Sequence, residues 1–108
     1  MTYDLFITLY SEALEYSDVD LYIAERGWQD WMDDYDGSIG EALAMIYTLA
    51  TNNIKSNRQL AGLSRAAFSR QYRIPIRTVE NWEATGDNAR ELPSYTKTLI
   101  DYSLFLGI

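Results

Sequence analysis

Apolar residues recur along this chain every three or four positions, the period of an amphipathic helix. Tyr3, Phe6, Leu9 or Tyr10, Ala13 and Leu14 follow that rule and predict a helix over 2–16. Ser17 and Asp18 suit an N-cap, since their short side chains accept from the free N–H groups of a first turn. Leu21, Ala24, Trp28 and Trp31 then repeat at i, i+3, i+7 and i+10. They predict a second helix to about Asp34, with Gly27 weakening its middle. Asp36-Gly37-Ser38 breaks the chain. Ile39, Leu43, Ile46, Leu49 and Ala50 open a third helix, which the pattern carries past Asn52-Asn53 to about Leu60 before Gly62 stops it. Shorter helices are predicted from Ser64 to Tyr72, Pro75 to about Ala84, and Ser94 to about Leu106. Pro75 suits a first helical position, where a missing N–H costs nothing. No run alternates with period two. The fold class expected is all-α, a bundle of five to six helices.

The chain has 108 residues, enough for one ordinary domain or two halves sharing a core. Its apolar share of 47% predicts a folded protein. Cysteine and histidine are both absent. That removes disulfides, thiolate or imidazole zinc sites, Cys or His nucleophiles and the usual general base at neutral pH. No acid–base pair, phosphate loop or nucleophile elbow is recognisable, so no enzyme and no cofactor are expected. No apolar run approaches the roughly 18 residues that cross a bilayer, and the opening Met-Thr-Tyr-Asp lacks a signal pattern. The expectation is a soluble, cytoplasmic protein with no membrane partner.

The net charge of −7 conceals a sharp division. Residues 1–53 hold eleven acids and one base, Arg26, for a net −10. Residues 54–108 hold eight bases and five acids, for a net +3. Six of those bases, Lys55, Arg58, Arg65, Arg70, Arg73 and Arg77, fall in a stretch without a single acid. A cationic surface most often meets phosphate. The expected organisation is an acidic helical extension over 1–53, serving dimerisation or partner binding, followed by a basic domain over 54–108.

Between Ser64 and Gly86 the large apolar residues are Phe68, Tyr72, Ile74, Val79 and Trp82. Their spacing puts Phe68 and Tyr72 on one face of a first short helix, and Val79 and Trp82 on one face of a second. Ile74 plugs the corner between them. Two helices packed at a steep angle close a small core this way. Ser64 caps the first by accepting from a backbone N–H near Ala67. Ile74 precedes proline and is biased out of helix, which helps define the turn.

Residues 54–106 resemble the helix-turn-helix domain of the Xre/Cro/C1-repressor type, which is lambda-repressor-like. The resemblance rests on Arg58, Gly62-Leu63-Ser64-Arg65, Phe68, Ile74-Pro75, Arg77-Thr78-Val79, Trp82-Glu83, Gly86 and Pro93. It implies a helix-turn-helix at about 64–84 with Pro75 to Ala84 as a recognition helix in the major groove of double-stranded DNA. It places Ile76, Arg77, Thr78 and Asn81 against base edges, with Arg65 on phosphate and Arg73 beside the turn. The implied role is a bacterial- or phage-type transcriptional regulator. Four positions depart from the family. Arg73 stands where a glycine is common, which predicts a strained backbone there. Glu80 occupies a recognition-helix position that is often small. Asp87 and Glu91 follow where relatives often carry bases.

Chemistry alone supports the same residues. The Arg77 fork matches the two major-groove acceptors of guanine, Asn81 pairs likewise with adenine, and Thr78 contacts either. Lys55, Arg58, Arg65, Arg70 and Arg73 are available to neutralise phosphates. One such domain is small for tight specific binding, so a homodimer reading two half-sites is expected. The plain alternative for the basic run is a solvated face balanced by the acidic half. The alternative function is a protein-interaction module or inhibitor, antitoxin-like or phage-encoded, working through the acidic residues 1–53. Trp28 and Trp31, with Tyr22 and Tyr35, are expected to pack the first three helices together; the other reading makes Trp28 and Trp31 a partner or dimer surface. Asp30, Asp33, Asp34 and Asp36 lack the spacing of a calcium loop, so no metal is expected.

Overall fold

The computed structural model describes residues 1–86 and 89–107, and among these every regular element is helical. The chain forms two compact units, Met1–Thr51 and Asn52–Ile108. No helix among the described residues is long and apolar enough to cross a membrane.

The first unit holds α1 (Tyr3–Ala13), α2 (Val19–Ala24), a short 3-10 turn (Asp30–Met32) and α3 (Ile39–Thr51). Thr2 caps α1, its Oγ1 accepting from the Leu5 N–H at 3.2 Å. Asp18 caps α2 with bonds from the N–H groups of Asp20 and Leu21. Phe6, Leu9, Tyr10 and Ala13 of α1 are buried, as are Leu43, Ile46, Leu49 and Ala50 of α3. Tyr22 is fully buried among the unit's aromatic residues. Its hydroxyl donates to the Leu9 carbonyl at 2.7 Å, and its ring meets Tyr16 and Tyr47 at 5.8 and 5.5 Å.

Two predicted helices are shorter than the periodicity implied. The second ends at Ala24, not near Asp34. Gly27 takes φ +66, a left-handed conformation that glycine adopts without steric cost, and the chain turns there. The stripe Leu21–Ala24–Trp28–Trp31 is therefore not an inward face. Leu21 and Trp28 are exposed, and Tyr22 is the residue that points inward. The third predicted helix is likewise two elements. Asn53 ends the continuity by acting as an N-cap, its Oδ1 accepting from the Ser56 N–H at 2.8 Å.

The second unit holds α4 (Ile54–Leu60), α5 (Arg65–Tyr72), α6 (Ile76–Glu83) and α7 (Ser94–Gly107). Gly62 ends α4 in a left-handed cap: its N–H bonds the Gln59 carbonyl, and the Leu63 N–H reaches back to Arg58. Ser64 caps α5 through the Ala67 N–H at 3.1 Å. The core is Ile54, Phe68, Val79, Ile100 and Leu104, with Tyr72, Ile74 and Trp82 packed against it. A polar group also lies inside. Asn57 Nδ2 donates to Asp101 Oδ1 at 2.9 Å, and Lys97 Nζ holds the other Asp101 oxygen at 2.7 Å.

Candidate nucleic-acid interface

The α5–α6 corner shapes the candidate site. Arg73 ends α5 at φ 54, ψ 43, the left-handed conformation that costs a residue with a Cβ atom. The Ile74 N–H closes the turn onto the Ser69 carbonyl at 3.0 Å, and the Ser69 hydroxyl donates to the Ile74 carbonyl. Pro75 then precedes α6, its carbonyl accepting from Thr78 and Val79. Val79 is buried and Trp82 half-buried, so α6 turns this side toward the core. Ile76, Arg77 and Glu80 lie on its exposed side.

Arg65, Arg77, Glu80, Asn81, Glu83 and Ala84 line one open depression of about 360 Å³. Three of the six residues expected to meet DNA thus share a surface: Arg65, Arg77 and Asn81. Ile76, 44% exposed, and the half-buried Thr78 lie on α6 outside that lining. Arg73 is exposed at the turn. Glu80 sits in the depression itself, and Glu91 is exposed, whereas Asp87 lies outside the described residues.

Glu83 organises this surface from beneath. Its carboxylate accepts from Arg58 Nε and Nη2, each at 2.9 Å, and from Arg65 Nε at 3.1 Å. One acid at the end of α6 so ties down the last turn of α4 and the first residue of α5. Burial alone would raise the Glu83 carboxyl pKa. The hydrogen bonds from Arg58 and Arg65 outweigh it and hold the carboxyl below the ordinary glutamate value. Arg58 also donates from Nη1 to the Leu63 carbonyl at 2.8 Å. With all three nitrogens engaged and its side chain 8% exposed, Arg58 is not available to phosphate, which corrects the expectation from its place in the basic run. Arg65 bonds Glu83 yet keeps 48% of its side chain exposed, so it still faces outward. Lys55, Arg70, Arg73 and Arg77 are exposed and in no ion pair among the described residues.

Sequence reasoning missed the Arg58–Glu83–Arg65 cluster because its members are 18 and 25 positions apart. It also passed over Lys97 and Asp101, although their i,i+4 spacing on a helix is a legible signal.

In the first unit, Trp28 does not join the packing: it is 68% exposed, its Nε1 donating to Asp33 Oδ1 at 2.8 Å. Trp31 is half-buried, donates to Gln29 Oε1 at 2.7 Å, and meets Tyr35 edge-on at 5.8 Å. Among the described residues no group of three or more acids converges as a metal site. In comparisons with known proteins, no family model, no curated protein and no solved structure matches this chain.

Proposed function

We propose that residues 54–108 form an Xre/Cro-type helix-turn-helix, α5 and α6, that binds double-stranded DNA and regulates transcription. The observation that carries this reading is the sharing of one open depression by Arg65, Arg77 and Asn81; Lys55, Arg70 and Arg73 are also exposed on the second unit. In this reading α6 enters the major groove. Arg77 bonds guanine O6 and N7, Asn81 pairs with adenine N6 and N7, and Glu80 accepts from a cytosine N4 amine. The carboxylate that would repel phosphate thereby gains a role at a base edge. Arg65, Arg70, Arg73 and Lys55 hold phosphates and set the register without reading sequence.

A second copy supplies the other half-site. Tyr95, Leu99 and Leu106 of α7, spaced four and seven apart, are exposed by 71%, 53% and 58%, and Lys97 and Asp101 of the same helix are paired with each other. That neutral apolar face is the surface through which we place a homodimer.

The test is a titration of labelled DNA fragments from the chain's own locus, read by fluorescence anisotropy at two salt concentrations. Four phosphate contacts predict a log affinity against log salt slope of about −3.6. Absence of salt-sensitive binding to every fragment, by a protein that melts cooperatively, would sink the proposal.

A further inference from the structure

The first unit holds an open groove of about 480 Å³ lined by Met1, Thr2, Leu5, Trp31, Asp34 and Tyr35. Two aromatic rings set edge-on at 5.8 Å stand beside an exposed carboxylate. The surface around it is strongly anionic, since Asp30, Asp33, Asp34 and Asp36 fall within seven residues. The single base of the unit does not relieve that charge. The Arg26 side chain is 3% exposed, its guanidinium lies 4.5 Å over the Tyr22 ring, and Nη1 bonds Glu12 at 3.3 Å. Residues 1–51 therefore present no outward arginine or lysine side chain of their own.

We propose that this groove is the docking point for a basic protein segment, which seats one arginine side chain against Trp31 and Tyr35 with its fork on Asp34. The pairing follows from charge complementarity and from ring electrostatics. A guanidinium stacks on an aromatic face, is more weakly hydrated than an ammonium, and presents paired donors to a carboxylate. The remaining acids steer a cationic partner to the groove over the range of a Debye length. An ordinary solvated acidic face lacks the aromatic walls. This inference concerns a different surface from the DNA reading and does not rest on it.

The test uses the whole chain and a short arginine-rich peptide, titrated by calorimetry, with the same peptide carrying neutral citrulline as control. The arginine peptide binds and the citrulline peptide does not. Asp34→Asn, an isosteric change at an exposed site, weakens binding about tenfold, the size of one charge-assisted hydrogen bond, and leaves both rings in place. Glu15→Gln removes the same charge between α1 and α2, outside the groove, and changes affinity less than about twofold, as a screened surface charge does. Trp31→Phe, checked by its melting curve, weakens binding less than Asp34→Asn. Equal losses from Asp34→Asn and Glu15→Gln would mean diffuse attraction and overturn the proposal. So would Asp34-dependent dimers of the chain in sedimentation without peptide, which would assign the groove to a second copy. Arg77→Ala leaves peptide affinity unchanged, so this proposal and the DNA reading fail separately.

Discussion

Arg58 grips Glu83 with two parallel bonds of 2.9 Å, and both side chains are almost wholly withdrawn from solvent. Such a buried pair is weak grounds for claiming net stability, because desolvating two charges consumes most of their attraction. Breaking it is another matter. Glu83→Gln leaves the Arg58 cation buried without its anion, and thermal melts should show a loss of about 3 kcal/mol.

The same carboxyl sets an acid limit. Its folded pKa lies below the ordinary glutamate value, so its contribution is fully present above the unfolded pKa of about 4.3 and fades as pH falls through the folded one. Melting temperatures of the native chain and Glu83→Gln, followed downward from neutral pH, should converge in that acid range.

Tyr22 sets an alkaline limit on the first unit. Burial pushes its phenol up to about 12, only partly offset by the nearby Arg26 cation. A raised folded pKa contributes stability below the unfolded value of about 10, which is lost as pH rises toward the folded one. Tyr22→Phe removes the bond to the Leu9 carbonyl, costs about 1 kcal/mol at neutral pH, and should flatten the alkaline fall in circular dichroism melts.

Under the proposed DNA binding, two arginines should separate reading from holding. Arg77→Ala should cost about 1–3 kcal/mol of DNA binding and relax preference at one base pair. Arg65→Ala should weaken all sequences alike and make the salt slope shallower by about 0.9. Because Arg65 also bonds Glu83, its melting curve is measured beside the anisotropy titration.

Arg73→Gly distinguishes fold from function at one residue. Relief of the left-handed strain, about 1–2 kcal/mol, exceeds the added chain entropy of glycine, so the melt should rise. DNA affinity should fall at the same time, with the salt slope again shallower by about 0.9.

Leu99→Lys places a charge on the exposed α7 face. Sedimentation should show the native chain self-associating at concentrations where this variant is monomeric, and the variant should bind DNA without cooperativity.

Much of the local structure was readable in advance. Ser64 accepting from Ala67 and the stop at Gly62 depend on residues within one helical turn, and local apolar spacing alone marks Phe68 and Val79 as the inward positions of their helices. The errors came where one residue outweighed periodicity. Gly27 ended α2 although apolar spacing ran on, and Asn53 capped a new helix inside a continuous pattern. In both, a backbone preference or a single hydrogen bond decided what a hydrophobic count averages over.

From the chain's order of residues alone came the all-helical class, the capped corner at Arg73-Ile74-Pro75, and the separation of an acidic from a basic half. These are local or additive properties, carried by propensity, short-range bonding and summed charge. Tertiary structure alone decided which charges face water. It drew Arg58 inward onto Glu83, left Arg65 half outward, folded Arg26 over Tyr22, and turned Trp28 to solvent. Burial and pairing depend on neighbours far away in sequence, and formal charge is silent about them.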